Sequence, residues 1–386
     1  MAVKSVSILG ATGSIGDSTL DLIRHHSDQY DVRVLTAGSN VDRLIQLAAE
    51  FKPQYVAIAD ERKHATFKSA HPTIEIISVD EAASVDVDWT MAAIVGTAGL
   101  KPTMNAIKRG KTVAFASKEC LVAAGDLMMQ AVSDSGATLL PVDSEHNAIF
   151  QVFDNAQRDQ IERLIITCSG GPFRNWTQNE INKATPEQAL KHPTWTMGAK
   201  ISIDSASLMN KALEVLEAHY LFKMPSNKID VVVHPQSLIH SMVEYADGSI
   251  LSQMGPSDMR TPIANCLGWP NRIQTSGDRL DFTTVSKMTF EQPDINRFQS
   301  LAMVHDVMAA GQEASIIFNA ANEVAVAAFL NKEIGFTDIY ATILHGLDNA
   351  SGANILTLDD VVECDENARI NAQQFISTMD RKTHYA

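Results

Sequence analysis

Apolar and polar positions along the chain fall into a repeating order. Short apolar runs, each closing on Gly, Ser, Asn or Asp, alternate with stretches in which apolar residues recur every three or four positions. The first run covers residues 3–9, the turn "GATGSIG" follows, and Leu20, Leu22 and Ile23 begin a helical face. The order then repeats through "DVRVLTAGSN", "QYVAIAD", "MAAIVGTAGL", "TVAFASKE" and "ATLLPVDSE". Apolar runs bounded by turn residues and separated by amphipathic segments read as strands of a parallel sheet buried on both faces. Ligands of such sheets bind outside the carboxyl ends of the strands. Residues 96–98, 117–119 and 143–145 are expected at that edge.

Past residue 160 the pattern changes. "LIITCSGGPFRNW" is an apolar strand running into a Ser-Gly-Gly-Pro turn, and a long polar segment leads to "KHPTWTMGAK". From Ser207 the spacing is helical, with Leu208, Leu213, Leu216 and Tyr220 toward the buried side. "DVVVHPQSLIHSMVEYADGSILSQMG" reads as hairpin strands turning at "ADGS", and the polar stretch "SGDRLDFTTVSKMTFEQPDINRF" as a linker. Three helical segments follow from about residue 300. The expected fold is α/β: a Rossmann-like dinucleotide-binding domain (1–143), a central α+β catalytic domain (144–270) with a lid loop near 175–200, a linker (271–298) and a C-terminal helical bundle (299–386). The bundle has few convergent polar groups and is expected to support and assemble, not to do chemistry.

Composition narrows the function. The 386 residues carry a formal net charge of −15, so the basic footprint that nucleic acid or an anionic membrane would require is absent. A phosphorylated ligand must be captured by a local patch. No apolar run approaches the roughly 20 residues of a membrane span, and the first strand starts too early for a signal peptide. The four cysteines, Cys120, Cys168, Cys266 and Cys364, are far apart and suit a reducing, cytoplasmic setting rather than disulfides or a zinc cluster.

Four stretches carry candidate chemistry. Gly10, Gly13 and Gly16, between a strand and a helix, let a backbone approach a pyrophosphate seated on the helix N-terminus. The second strand ends in neutral Gly38, Ser39 and Asn40 with Arg43 nearby, which favours NADPH over NADH, unless Ser39 and Asn40 simply cap the next helix. The Ser169 turn can present amides and a hydroxyl to an anion. Together with His192, Ser205, Asn210 and Lys211 it makes a candidate phosphate patch, and the loop bearing Trp195, Met197 and Gly198 a candidate lid. A Lys–Glu helix such as 209–217 is otherwise a solvated salt-bridge face, and His234 and His240 read as structural. Finally, "PVDSEHNAIF" ends a strand in two acids. Asp143, Glu145 and Glu214, on the helical face shared with Asn210, offer only hard oxygens, which select Mg²⁺ or Mn²⁺ over zinc; without a metal, the acids would form a general acid/base pair.

The series "GATGSIG", "AGSN", "ASKE", "PVDSEHNAIFQ", "SGGPFR", "HPTWTMG", "KISIDSASLMNKALE", "HPQSLIHSMV" and "NAANE" resembles the 1-deoxy-D-xylulose 5-phosphate reductoisomerase family over nearly the whole chain. The resemblance implies an NADP-dependent oxidoreductase that rearranges and reduces the sugar phosphate to 2-C-methyl-D-erythritol 4-phosphate, working as a homodimer. It implies that Thr12, Gly13, Ser14, Ile15, Gly38, Ser39, Asn40, Ser117, Glu119 and Gly198 hold NADPH, and that Asp143, Glu145 and Glu214 bind the metal. Lys118 and Ser144 would contact the sugar. Ser169, His192, Ser205, Asn210 and Lys211 would bind substrate mainly at its phosphate, with Glu145 and Glu214 also facing it. Family members often carry lysine at the Ser39 position and asparagine at the Ser117 position, so this chain departs from the pattern at the cofactor. Two other readings remain: an NADP-dependent semialdehyde or sugar-phosphate dehydrogenase with a thioester step on Cys120 or Cys168, and a redox sensor that binds NADP without turnover.

Overall fold

The computed structural model describes residues 3–195 and 197–379; Thr196, in the expected lid, and the chain ends of the outer domains lie outside them. The backbone divides into two compact units. The first comprises residues 1–120, 128–150 and 258–279, and the second residues 121–127, 151–257 and 280–386.

The first unit is built on seven strands: β1 (Lys4–Leu9), β2 (Tyr30–Ala37), β3 (Tyr55–Ile58), β4 (Glu75–Ile77), β5 (Trp89–Ala92), β6 (Thr112–Phe115) and β7 (Thr138–Pro141). Their order is β4-β3-β2-β1-β5-β6-β7, and every pairing is parallel. The strands read as near-continuous apolar runs because helices cover both faces: Val6, Ile8, Leu35, Met91 and Ala114 are fully buried. The strand order reverses between β1 and β5, the place where such sheets open a crevice for a ligand.

Residues 258–279 return to this unit, although 258–270 was expected in the central domain and 271–279 in the linker. Helix Arg260–Gly268 packs on helix Ser14–His25 and seals the sheet core with Ile263, Cys266 and Leu267. The indole of buried Trp89 donates to Cys266 O at 3.0 Å, and Lys4 Nζ donates to Leu267 O at 3.1 Å.

The second unit holds a four-stranded sheet of β8 (Ile161–Cys168), β9 (Ile229–Val233), β10 (Ile239–Tyr245) and β11 (Ile250–Met254) in the order β11-β10-β8-β9. β10 and β11 form the expected hairpin, turning at Gly248 (φ +85°). β9 is not part of a hairpin: it pairs parallel to β8. The expected helical bundle is present as Ser300–Ala310, Gln312–Leu330, Asp338–Asp348 and Leu358–Thr378. Gln312–Leu330 is, against expectation, long and apolar enough to cross a bilayer by length and composition alone. It is instead a core helix, mostly buried against Asp338–Asp348 and Leu358–Thr378.

Candidate active site

Five of the predicted stations line the carboxyl edge of the seven-stranded sheet: residues 10–16 after β1, 38–40 after β2, Gly96 after β5, 117–119 after β6 and 143–145 after β7. The glycine loop explains its own composition. Gly10 sits at φ +91°, and a Cβ there would lie 2.4 Å from Ala93 O; a Cβ on Gly16 would lie 2.4 Å from Gly10 O. Gly10 makes the turn and Gly16 lets the helix pack on it. Gly13 is exposed and begins helix Ser14–His25, whose first amides have no partner within the helix. That cradle fits a pyrophosphate. Gly38, Ser39 and Asn40 are exposed, and Gly38 would admit a Cβ without contact. Asn40 does cap helix Val41–Phe51, accepting from Arg43 N at 3.2 Å. The Arg43 guanidinium is held at this edge by Asp17, Nη2 to Oδ1 at 2.6 Å. Ser117 is buried and donates its hydroxyl to Ile94 O, which ties β6 to the loop after β5.

The two acids after β7 are arranged differently from each other. Asp143 caps helix Ser144–Val152, with Oδ1 accepting Glu145 N–H at 3.2 Å. Its other oxygen accepts Lys118 Nζ at 2.8 Å, and His146 Nδ1 lies 3.3 Å from Oδ1. Burial alone would raise this carboxyl's pKa, but the Lys118 ammonium and His146 outweigh it and hold the group well below the usual carboxylate range. Asp143 is therefore an anion at neutral pH, a ligand or counter-ion rather than a proton donor. Ser144 Oγ donates to Glu145 Oε2 at 2.5 Å. Oxygen-only donors of this kind fit a hard divalent cation. The sequence reading passed over His146; its one signal was its place three residues beyond Asp143, on the same side of a helix start.

In the second unit, a cavity of about 490 Å³ is lined by Ser169, Gly171, Arg174, Trp176, Lys191 and neighbours. The turn after β8 takes two left-handed glycines, Gly170 (φ +85°) and Gly171 (φ +69°), and a Cβ on Gly171 would lie 2.5 Å from Ser205 O. Glycine thus seats the Ser169 turn against the Ser205 backbone. His192 Nδ1 accepts the Trp195 amide at 2.9 Å, so a neutral ring carries its proton on Nε2, which lies 3.1 Å from Ser169 Oγ. Trp195 is half-buried, its ring 6.1 Å from that of His240.

Helix Met209–Phe222 is not a solvated face. Lys211, Glu214 and Glu217 are 3 %, 1 % and 2 % exposed. The Lys211 ammonium donates to Glu214 Oε2, and Asn210 Nδ2 donates to Glu214 Oε1 at 2.5 Å. Buried charges are tolerated only when paired in this way. The helix therefore carries an acid and an ammonium in one fixed cluster. A separate cavity of about 320 Å³ among the C-terminal helices, bordered by Glu313, Asn349, Asp360 and Asn371, contains none of the predicted site residues.

Both cysteines of the thioester reading are buried, and Cys120 Sγ is directed at Gly96 O at 3.4 Å. Neither has the exposure of a reactive thiol.

Three family models match the chain. One described as 1-deoxy-D-xylulose 5-phosphate reductoisomerase covers residues 6–125, one for that enzyme's C-terminal domain covers 139–222, and one described as DXP reductoisomerase C-terminal domain covers 254–371. The chain belongs to the 1-deoxy-D-xylulose 5-phosphate reductoisomerase family. Among curated relatives, the reductoisomerase of Rhodospirillum centenum is 51% identical over 381 residues, spanning 97% of this chain and 95% of that one. The reductoisomerase of Zymomonas mobilis, solved in complex with NADPH, superposes with a TM-score of 0.93 at 49% identity, over 98% of this chain and 100% of that one. A reductoisomerase solved with NADPH, fosmidomycin and magnesium gives 0.93 at 40% identity, over 97% and 98%. Lys118 lies inside the first reductoisomerase match, and Asp143, Ser169, His192, Ser205, Lys211 and Glu214 lie inside the second.

Proposed function

We propose that this chain rearranges 1-deoxy-D-xylulose 5-phosphate and reduces the product to 2-C-methyl-D-erythritol 4-phosphate, using NADPH and Mg²⁺ or Mn²⁺. The observation that carries the reading is the ordered motif series of the reductoisomerase family, with Asp143 of its "VDSE" turn held ionised beside Lys118. Asp143, Glu145 and Glu214 are assigned as metal ligands. Thr12, Gly13, Ser14 and Ile15, with 38–40, Ser117, Glu119 and Gly198, are assigned to the dinucleotide. When bound, the cation would polarise substrate oxygens and NADPH would supply the hydride.

The chain's own residues bind, orient and exclude water. Lys118 keeps its proton on Nζ against Asp143 and presents the remaining N–H groups to the sugar, beside Ser144. The Lys211 ammonium supplies most of the charge for the phosphate, and Ser169, Ser205, Asn210 and the Nε2–H of His192 supply directed donors. The Trp195 loop closes over the reacting carbons, which matters because an aldehyde intermediate is exposed to water otherwise. Arg43, anchored by Asp17, is assigned to the 2′-phosphate of NADPH where the strand end itself is neutral.

The working form is proposed to be a cytoplasmic homodimer. Edge strand β11 exposes Ile250 and Leu251, a surface suited to a second copy, and the four cysteines form no disulfide, which suits a reducing compartment. Sedimentation reading a single-chain mass would overturn the dimer. The activity is tested by NADPH absorbance with the sugar phosphate added, before and after chelation. Oxidation that stops with chelator and returns with Mg²⁺ or Mn²⁺ is expected. Oxidation that persists without metal would make Asp143 and Glu145 an acid/base pair, and none at all would favour the sensor reading.

A further inference from the structure

The segment carrying Ser205, Asn210 and Lys211 is two helices, Ala199–Ala206 and Met209–Phe222, joined at Ser207 and Leu208. Leu208 takes a left-handed φ of +56°, a conformation that a branched residue keeps only where its surroundings over-determine it. Those surroundings are polar and buried. The Ser207 carbonyl accepts two hydroxyls, Ser300 Oγ at 2.8 Å and Tyr340 Oη at 2.9 Å. One turn back, Asp204 Oδ1 accepts Asn322 Nδ2 at 2.9 Å, and Asp204 Oδ2 lies 2.8 Å from Lys200 Nζ. Asp204, Ser207, Ser300 and Asn322 are all essentially inaccessible to water.

The three donors come one each from Ser300–Ala310, Gln312–Leu330 and Asp338–Asp348. Apolar packing of these helices would bury a face without fixing the angle of the joint. Directed hydrogen bonds fix it. That angle decides where Ser205, two residues before the joint, stands relative to Asn210, two residues after it.

We propose that Ser300, Asn322 and Tyr340 are positioning residues through which the C-terminal helices set the geometry of the phosphate grip, without touching substrate. The inference rests on the reading of Ser205, Asn210 and Lys211 as phosphate ligands, so Lys211→Ala is measured alongside. The mildest test is Tyr340→Phe, which keeps the ring and deletes the hydroxyl; Ser300→Ala and Asn322→Leu follow. Each is expected to raise KM for the sugar phosphate on the order of tenfold, with a smaller change in kcat and an unchanged Kd for NADPH by fluorescence titration. If Lys211→Ala raises KM while all three variants keep the wild-type KM, whatever their melting temperatures, positioning is overturned and the contacts are structural only. If Lys211→Ala leaves KM unchanged, the phosphate assignment fails first, and the inference with it.

Discussion

The loop at residues 10–16 offers backbone amides to its ligand, whereas helix Met209–Phe222 offers side chains. The loop is open: Gly13 and Ser14 are exposed, and the amides that open helix Ser14–His25, which have no partner within the helix, can be solvated until something displaces the water. The helix is closed: Lys211 and Glu214 are buried and bind each other. A backbone site is bought with glycine geometry and tolerates neighbours that change. A buried side-chain site is a set of mutually dependent charges, in which deleting one member damages the rest, by about 3–5 kcal/mol for a buried pair.

The contrast can be broken by substitution. Glu214→Gln should have the largest effect: turnover falls on the order of a hundredfold or more while NADPH affinity, read by fluorescence titration, stays near wild type. Equal loss of both would mean that the two sites are not separable. Lys211→Ala removes one charge-assisted donor set and should weaken the sugar phosphate by about ten- to a hundredfold, corresponding to ~1.5–3 kcal/mol, again sparing NADPH. Gly10→Ala should do the reverse. Forcing a Cβ into left-handed backbone beside Ala93 O should cost about 1–3 kcal/mol of stability, lower the melting temperature and weaken NADPH ahead of substrate.

A smaller effect is expected from acid. Glu313 accepts the Ser351 hydroxyl and the amides of Ser351, Gly352 and Ala353; burial raises its pKa, but these hydrogen bonds, the hydroxyl's first, outweigh it and lower the value from 4.5. Its contribution is complete above the unfolded value and is lost as pH falls through the lower folded one. Glu313→Gln should therefore flatten the melting temperature's pH dependence below about pH 4.5 and change nothing at pH 7 beyond a modest offset. Cys120→Ala and Cys168→Ala should retain most NADPH oxidation; abolition by either would revive the thioester reading.

The same contrast explains what the sequence made legible. The glycine loop was readable because its geometry is local: three glycines, a strand before and a helix after. The buried helix was not, because Lys211 and Glu214 at spacing three look like a solvated pair, and only the motif series around them pointed to chemistry. The break at Leu208 left no trace, since nothing in "SASLMNK" marks a leucine for left-handed backbone. β4 is three residues long and part-exposed, too short to show a period. Helix Arg260–Gly268 was hidden by Pro262, which its first turn tolerates. Its partner Trp89 is 177 residues away, a distance no local pattern spans.

That last pairing has a bearing on how the chain is made. The first unit's chain leaves it at Phe150 and comes back at Asp258. A ribosome adding about 5–20 residues per second therefore finishes all seven strands of the nascent sheet while Ile263, Cys266 and Leu267 are still unsynthesised. For several seconds Trp89 and the core around it lack the cover of helix Arg260–Gly268, with only earlier residues such as Leu20 and Ile23 in place. During translation this interval is the time at which a chaperone would find the most apolar surface to hold. A fragment ending near residue 150 would carry that exposed surface permanently.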